Sequence, residues 1–292
     1  MKMLLSRAVT ASDIASRARR YYDANTGRFL RFGQGGGAGA IHRSVWAPSV
    51  TTKREAFEYA DQFVLERIRA RYAGVVHVLD LGCGVAASLQ YLAARMPMRG
   101  TGITISGVQA TLARERIAAQ GLTDNIRIIE GSYLDLPADV GMAHTAFSIE
   151  AFLHCPDADR YFAQAAAHLE HGGLLLVLDD FLSARAGDAV SARERRVIDE
   201  FREGWVTSAL QTPAAVAATA ARHGLTLIDD VNLTPYLETG RPRDRLIALV
   251  MTLARHLPIG GEYFKNFLGG NALQEALTSG LIEYRFLVFE KS

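Results

Sequence analysis

Val76 to Leu89, VHVLDLGCGVAASL, is the stretch that decides how the chain is read. Val76, Val78, Leu79 and Leu81 form a short apolar run with β-branched members, the pattern of a strand buried on both faces. Asp80 stands near its end, Gly82, Cys83 and Gly84 follow, and a helical run begins at Ala86. A strand, a glycine turn and a helix in that order place backbone N–H groups at the carboxyl edge of a sheet, where open α/β folds bind small ligands. The glycines are expected to let a ligand approach the backbone closely. The turn lacks the third glycine of the dinucleotide fingerprint, so an ordinary strand-turn-helix of some other α/β protein is the bland alternative.

The segments downstream repeat the alternation. Strands are expected at about 100–105, 126–130, 143–149 and 174–178, the last ending at Asp179-Asp180. Between them Pro97 stops one helix, Ser106 caps a second that runs to Gln120 with Gly121 beyond it, and Pro156-Asp157 opens a third that runs to His168. Such alternation implies a parallel sheet with right-handed crossovers. Residues from Phe181 to about Arg222 read as helical, with a solvated charged run at Arg193 to Arg196. A sixth strand follows at 225–231, a mostly helical insertion at 233–280, and a last strand at 282–289.

Ahead of the first strand, a helix capped at Thr51 or Thr52 is expected to run to about Tyr72, burying Phe57, Ala60, Val64 and Ile68. Before it comes an arm with a helix from Ser12 to Tyr21-Tyr22-Asp23. Phe29 and Phe32, the glycine cluster from Gly33 to Gly37, and His42, Arg43 and Trp46 complete it. Such a segment either closes over a site as a lid or packs on the surface. The expected organisation is an N-terminal helical arm over 1–72 and an α/β domain over 73–292. That domain is a Rossmann-like, seven-stranded, mostly parallel sheet with helical insertions at about 181–222 and 233–280.

Composition narrows the class. The 292 residues are 49% hydrophobic and 22% charged, enough for one large domain with additions. Lys+Arg is 32 against Asp+Glu 31, a balance that argues against an electrostatically driven nucleic-acid binder. Cys83 and Cys155 are too few for a disulfide framework, no Cys/His spacing predicts zinc, and both read as small packing residues. No apolar run reaches membrane-spanning length, and the N-terminus reads as a helix, not a signal peptide. A cytoplasmic protein without stable membrane insertion is expected, with homo-oligomerisation left open.

The form Leu79-Asp80-Leu81-Gly82-Cys83-Gly84 resembles the first motif of class I S-adenosylmethionine-dependent methyltransferases. Gly102-Ile103-Thr104-Ile105-Ser106 with Gln109 resembles the second-strand motif of the branch holding tocopherol-type and cyclopropane-fatty-acid enzymes. Most class I members carry an acid there for the ribose diol. This chain has Thr104, so Thr104, Ser106 and Gln109 are expected to serve. Glu130-Gly131-Ser132 falls where the class contacts adenine, with Ser132 in place of the usual acid. The resemblance thus implies S-adenosyl-L-methionine as cofactor, held by Asp80, Gly82, Gly84, Thr104, Ser106, Gln109, Gly131, Ser132 and Ile149; no residue is assigned as a metal ligand, and whether a diphosphate and magnesium take part is left open.

Ser148-Ile149-Glu150-Ala151 with His154-Cys155-Pro156-Asp157 resembles the signature of sterol C-methyltransferases, and Tyr21-Tyr22-Asp23 is similar to their N-terminal motif. That likeness implies methylation of an alkene carbon of an isoprenoid-like small molecule. The chemistry needs a dry site, aromatic faces against a carbocation, and a base. Glu150, His154, Tyr22 and Trp205 are the expected catalytic residues, Glu150 as base or cation stabiliser and His154 as a second candidate base or a cofactor-orienting group. Tyr21, His42, Arg43 and Trp46 are expected to face the substrate. His42 and Arg43, with Arg241, Arg243 and Arg245, offer donors for a diphosphate, which favours a prenyl diphosphate over a neutral sterol; solvated loop arginines are the alternative. Asp179-Asp180 and Asp229-Asp230 are acidic pairs at strand ends with either a metal-binding or a structural reading. The competing functions are an O- or N-methyltransferase with His154 as base, and a non-catalytic module that kept the fold.

Overall fold

A computed structural model of the chain describes residues 16–20, 22–24, 26–27, 42–188, 190–241 and 262–292. Seven strands form one sheet in the order β3-β2-β1-β4-β5-β7-β6. They are β1 Val76–Leu81, β2 Met98–Thr104, β3 Ile126–Glu130, β4 Ala143–Ile149, β5 Leu169–Leu182, β6 Leu225–Asn232 and β7 Ile282–Lys291. β1 to β5 run parallel to one another, and β7 runs antiparallel between β5 and β6. The helices are α1 Lys53–Arg71, α2 Ala87–Ala93, α3 Gly107–Ala119, α4 Ala158–Ala167, α5 Ala184–Asp188, α6 Ala192–Trp205, α7 Pro213–Ala221 and α8 Glu262–Thr278. No helix among the described residues is long and apolar enough to cross a membrane.

Local chemistry explains most boundaries. Thr52 and Glu55 close a capping box that starts α1. Ser106 caps α3 by accepting from Gln109 N, and Asp157 caps α4. Phe57, Ala60, Val64 and Ile68 of α1 are buried as their spacing predicts. One face of the sheet carries a core that includes Val64, Ile68, Val78, Leu89 and Phe286. On the opposite face Leu79, Phe152 and Phe181 share a core with Tyr161 and Phe162 of α4 and Val216 and Ala220 of α7. A third cluster joins α6 and α8, with Phe201, Leu273 and Leu277.

Two expectations are corrected. The fifth strand does not end at Asp179-Asp180, because β7 pairs with it antiparallel from Leu174↔Glu290 to Leu182↔Ile282. The partner strand keeps both aspartates inside the sheet, where each is 1% exposed. The stretch from Phe181 to Arg222 is not one helical run: it holds the end of β5, then α5, α6 and α7 with breaks between. The glycine cluster at 33–37, Phe29 and Phe32, and Arg243 and Arg245 lie outside the described residues.

The chain leaves β1 toward β2 and β3 on one side, then returns to β4 and β5 on the other. A crevice therefore opens between the carboxyl ends of β1 and β4, where ligands bind in sheets of this kind. Gly82 follows β1 there with φ +114°, and a Cβ on it would lie 2.3 Å from Ala151 Cβ just after β4. Its freedom from a side chain is thus a packing need of two neighbouring strand ends, where the sequence reading expected ligand approach. Gly84, at φ +53°, is different: a Cβ there meets nothing nearer than the Gln109 side-chain amide at 4.0 Å.

Gly82→Ala is expected to cost about 2–5 kcal/mol, from a forbidden backbone conformation and a forced contact. Gly84→Ala is expected to cost about 1 kcal/mol. Urea unfolding midpoints of both variants check this.

Candidate active site

A cavity of about 620 Å³ occupies the crevice. Its wall includes Asp80, Gly82, Gly84, Thr104, Gln109, Gly131, Ser132, Ile149, Glu150 and His154, together with Tyr22, His42, Arg43 and Trp205. Of the expected cofactor residues, Ser106 alone is absent from that wall. It is fully buried, its Oγ caps α3, and its hydroxyl donates to Asp23. Ser106 is therefore a helix cap tied to the N-terminal arm. Trp46 is also away from the wall: its backbone N–H donates to the Tyr236 carbonyl, beside a bridge from Val45 to Leu237. Tyr21 lies outside the described residues.

The remaining residues suit a nucleoside with a methionine-like tail. Thr104 Oγ1 donates to Gln109 Oε1 at 2.9 Å, which fixes the amide and leaves its Nε2 as a donor for ribose-type hydroxyls. Ser132 Oγ accepts from Leu134 N and keeps its own proton to donate. At Gly84 the backbone faces open space that a Cβ would intrude on. Asp80 is buried, and burial together with the Asp61 charge holds its carboxyl well above the usual range. Cys83 packs against β2, where a Cβ on Gly102 would lie 2.8 Å from its Sγ, and burial pushes its thiol up. Burial likewise pushes Cys155 to about 12. Neither cysteine is poised as a nucleophile.

Glu150 sits at the tip of β4 in a left-handed conformation, φ +51°, uncommon for a residue with a side chain. A strained position of this kind costs of order 1–3 kcal/mol and persists only where its surroundings enforce it. Glu150 Oε1 accepts from Arg43 N at 3.0 Å, from Arg43 Nε at 3.0 Å and from Tyr284 Oη at 2.9 Å. Burial opposes its charge, but the Arg43 and His42 cations and the Arg43 hydrogen bonds prevail, holding the carboxyl below its ordinary range. Arg43 also lies 2.9 Å from Asp180 Oδ2 and stacks 4.2 Å over the Tyr284 ring. Burial lifts Asp180 to about 6, with Arg43 working the other way. Burial and the Glu150 charge push the Tyr284 hydroxyl up, so it remains a donor.

Arg43 was expected to meet a substrate diphosphate. In the structure its Nε bonds Glu150 and its Nη2 faces Asp180, while its Nη1 has no hydrogen-bond partner among the described residues. His42 also faces an acid: burial penalises its charge, yet Asp61, 3.7 Å away, raises it to about 9. Arg241 pairs with Glu238 at 3.0 Å. On the far edge of the sheet Asp229 bonds Arg67 and Asp230 bonds Arg285, a structural pairing for both acids. Asp179 accepts from Leu153 N and Asp180 N, positioning the turn that carries His154.

His154 is held edge-on to the Tyr22 ring, centroids 5.6 Å apart, and its Nδ1 lies 3.4 Å from the Val206 carbonyl. Donation through Nδ1 leaves the Nε2 lone pair available. Burial keeps its pKa below the ordinary histidine value. Sequence reasoning missed Tyr284 as a member of the site. It occupies one of the inward positions of β7, and only strand pairing brings it under Glu150. The α8 residues Asn271 and Gln274, also on the wall, were missed too. They fall in a run with no motif, readable only as an insertion.

Comparison with known proteins bears on the domain that carries this site. Residues 78–173 match the family described as a methyltransferase domain. A 24-methylenesterol C-methyltransferase of Arabidopsis thaliana is 26% identical over 156 residues, 53% of this chain and 43% of that protein. The match thus spans less than half of that plant enzyme's length. The methyltransferase GfsG of Streptomyces halstedii is 28% identical over 204 residues, 69% of this chain and 70% of that one. The crystal structure of geranyl diphosphate C-methyltransferase from Streptomyces coelicolor A3(2) superposes with a TM-score of 0.66 at 14% identity, covering 96% of this chain and 98% of that chain. With the glycine turn, the strand order and the crevice in place, residues 78–173 are a methyltransferase domain set in the Rossmann-like fold of the class I S-adenosylmethionine-dependent methyltransferases.

Proposed function

We propose that the chain is an S-adenosyl-L-methionine-dependent C-methyltransferase acting on an alkene carbon of an isoprenoid-like small molecule. The observation that carries this reading is the Glu150 carboxylate, kept ionised and held at the cavity wall by Arg43 and Tyr284. S-adenosylmethionine supplies an electrophilic methyl group. Gly84, Gln109, Gly131, Ser132 and Ile149 would hold it. A new carbon–carbon bond forms as the carbon–sulfur bond breaks, and the neighbouring alkene carbon becomes cationic. Tyr22 and Trp205 offer ring faces to that cation.

Glu150 and His154 divide the remaining work. Three hydrogen bonds on Oε1 and a lowered pKa make Glu150 a poor proton acceptor and a good fixed negative charge. His154, neutral with Nδ1 engaged, takes the proton from the carbon beside the cation, and the alkene re-forms. The same neutral histidine supports a second reading, in which His154 deprotonates a hydroxyl or amine and the methyl goes to oxygen or nitrogen. Sterol C-methyltransferases stand among the relatives beside tocopherol O-methyltransferases and a sarcosine/dimethylglycine N-methyltransferase, so the choice of carbon is carried by Glu150.

Incubation with methyl-labelled S-adenosylmethionine and a panel of isoprenoid alkenes tests the reading. Label on carbon is expected; label only on oxygen or nitrogen defeats it. Glu150→Gln should lower kcat by roughly 10²–10³-fold, with little change in S-adenosylhomocysteine affinity by calorimetry. A Glu150→Gln variant as active as wild type, beside an inactive His154→Ala, would establish the second reading.

His154 also sets an acid limb. The neutral form is required, and its pKa lies below the ordinary 6.5. Activity should hold through neutrality and fall only below the range in which an ordinary histidine titrates, as a kcat/KM profile would show.

Arg43→Met is expected to lower stability at pH 7 by about 3–5 kcal/mol, because two buried carboxylates lose their counterion. Without Arg43 both carboxyls titrate above their unfolded values. The folded state then binds more protons than the unfolded one, so the deficit shrinks as pH falls. Urea unfolding at pH 7 and pH 5 measures this.

A further inference from the structure

The wall that α6 and α8 contribute holds two buried polar atoms with nothing to bond. The helices cross with their backbones in contact: a Cβ on Gly204 would lie 2.4 Å from the Lys265 carbonyl oxygen. That crossing lays the Trp205 ring along α8, its Cδ1 2.8 Å from a Cβ built on Gly269 and its Nε1 3.8 Å from one built on Gly270. Gln274 follows Gly270 by one helical turn on the same helix face, so the two positions are neighbours. Among the described residues, the buried Trp205 Nε1–H has no acceptor and the buried Gln274 Oε1 has no donor. Both residues line the cavity.

Buried polar groups are nearly always satisfied, because leaving them bare forfeits their hydration with no return. An indole N–H only donates and an amide oxygen only accepts. One hydroxyl answers both, since it accepts and donates at once. A diphosphate answers neither well. It cannot donate to Gln274 when ionised, and it needs cations. Among the described residues, the cations on this wall already face acids: Arg43 meets Glu150 and Asp180, His42 meets Asp61, and Arg241 meets Glu238.

We propose that Trp205 Nε1 and Gln274 Oε1 form a subsite for an uncharged hydroxyl group, so that the substrate is a lipophilic alcohol and not a diphosphate ester. The identity of the rest of that molecule as an alkene rests on the function proposed above. The hydroxyl subsite itself does not, and binding reads it separately from methyl transfer.

The test uses the full chain with S-adenosylhomocysteine present. Geraniol, the matching hydrocarbon that lacks the hydroxyl, and geranyl diphosphate with magnesium are titrated by calorimetry. Geraniol is expected to bind about tenfold or more tightly than either, the worth of one well-made hydrogen-bonded pair. Trp205→Phe keeps a ring and removes the N–H; Gln274→Leu keeps the bulk and removes the acceptor. Each should erase most of the preference for the alcohol, read within each variant as the ratio of alcohol to hydrocarbon affinity. The two variants act independently, so a folding defect in one, seen by circular dichroism, leaves the other to decide. Tighter binding of the diphosphate, equal binding of alcohol and hydrocarbon, no binding of any probe, or an alcohol preference that survives in both variants overturns the proposal. Should the alcohol preference hold while no label reaches carbon, the subsite stands and the carbon-methylation reading falls.

Discussion

One guanidinium shared by two buried carboxylates governs the site. Glu150 follows the end of β4, Asp180 lies within the adjacent strand β5, and Arg43 comes from the segment ahead of α1. Two like charges brought this close and removed from water cannot both stay ionised unaided. Arg43 supplies the compensation, and it does so unequally. Glu150 receives hydrogen bonds from the Arg43 backbone N–H, its Nε and the Tyr284 hydroxyl, whereas Asp180 has the guanidinium beside it without a well-aligned hydrogen bond. The consequence is a split: Glu150 falls below its ordinary range while Asp180 rises to about 6. The left-handed backbone at Glu150 belongs to the same arrangement, because it turns the side chain back over the strand tips toward these donors.

The topology makes that arrangement affordable. Glu150, Ala151 and the glycine turn meet where the chain reverses its order across the sheet, so no crossover helix covers the strand ends. β7, threaded antiparallel beside β5, then brings Tyr284 opposite Asp180 and beneath Glu150. The arm adds the remaining wall: Arg19 bonds Glu130, Asp23 accepts from Ser106, and Tyr22 stands against His154. Each contact ties the arm to the tip of a different element around the crevice.

How far the sequence could be read follows from the range of the interactions involved. The strands from β1 to β4 and the caps at Thr52, Ser106 and Asp157 depend on residues within a turn or a strand length of each other, and they fall where periodicity places them. Glu150 and His154 were legible through a local signature and line the cavity as expected. The roles of Arg43 and Ser106 were not legible, because each is decided by a partner far along the chain: Glu150 lies 107 residues from Arg43, and Asp23 lies 83 residues from Ser106. Tyr284 was invisible for the same reason. The end of β5 was misplaced because two aspartates in a row read as a boundary, and only an antiparallel partner makes them interior. Gly82 was legible as an obligatory glycine, but the packing against the Ala151 methyl that also requires it was not, because that contact joins two strand ends far apart in the chain.

The charge count suits the proposed reaction better than it suits binding an anion. On that reading one positive charge enters with the methyl donor and passes to the substrate carbon, so the site never gains charge until a proton departs. A site for such a transfer needs negative charge fixed in place before the reaction, at a distance from both positions of the cation. Two carboxylates against one guanidinium leave a net charge of about −1 when both acids are ionised, and Asp180, at about 6, is mostly ionised at neutral pH. Had Arg43 been free, the guanidinium would have opposed a developing carbocation and welcomed a phosphate. Bound as it is, its charge is spent on holding Glu150 ionised. The proton that finally leaves then needs an acceptor that is neutral beforehand, since a second fixed anion would bind the cation too well to let it go. His154, uncharged by burial and with Nδ1 already committed, meets that condition, and Glu150 does not.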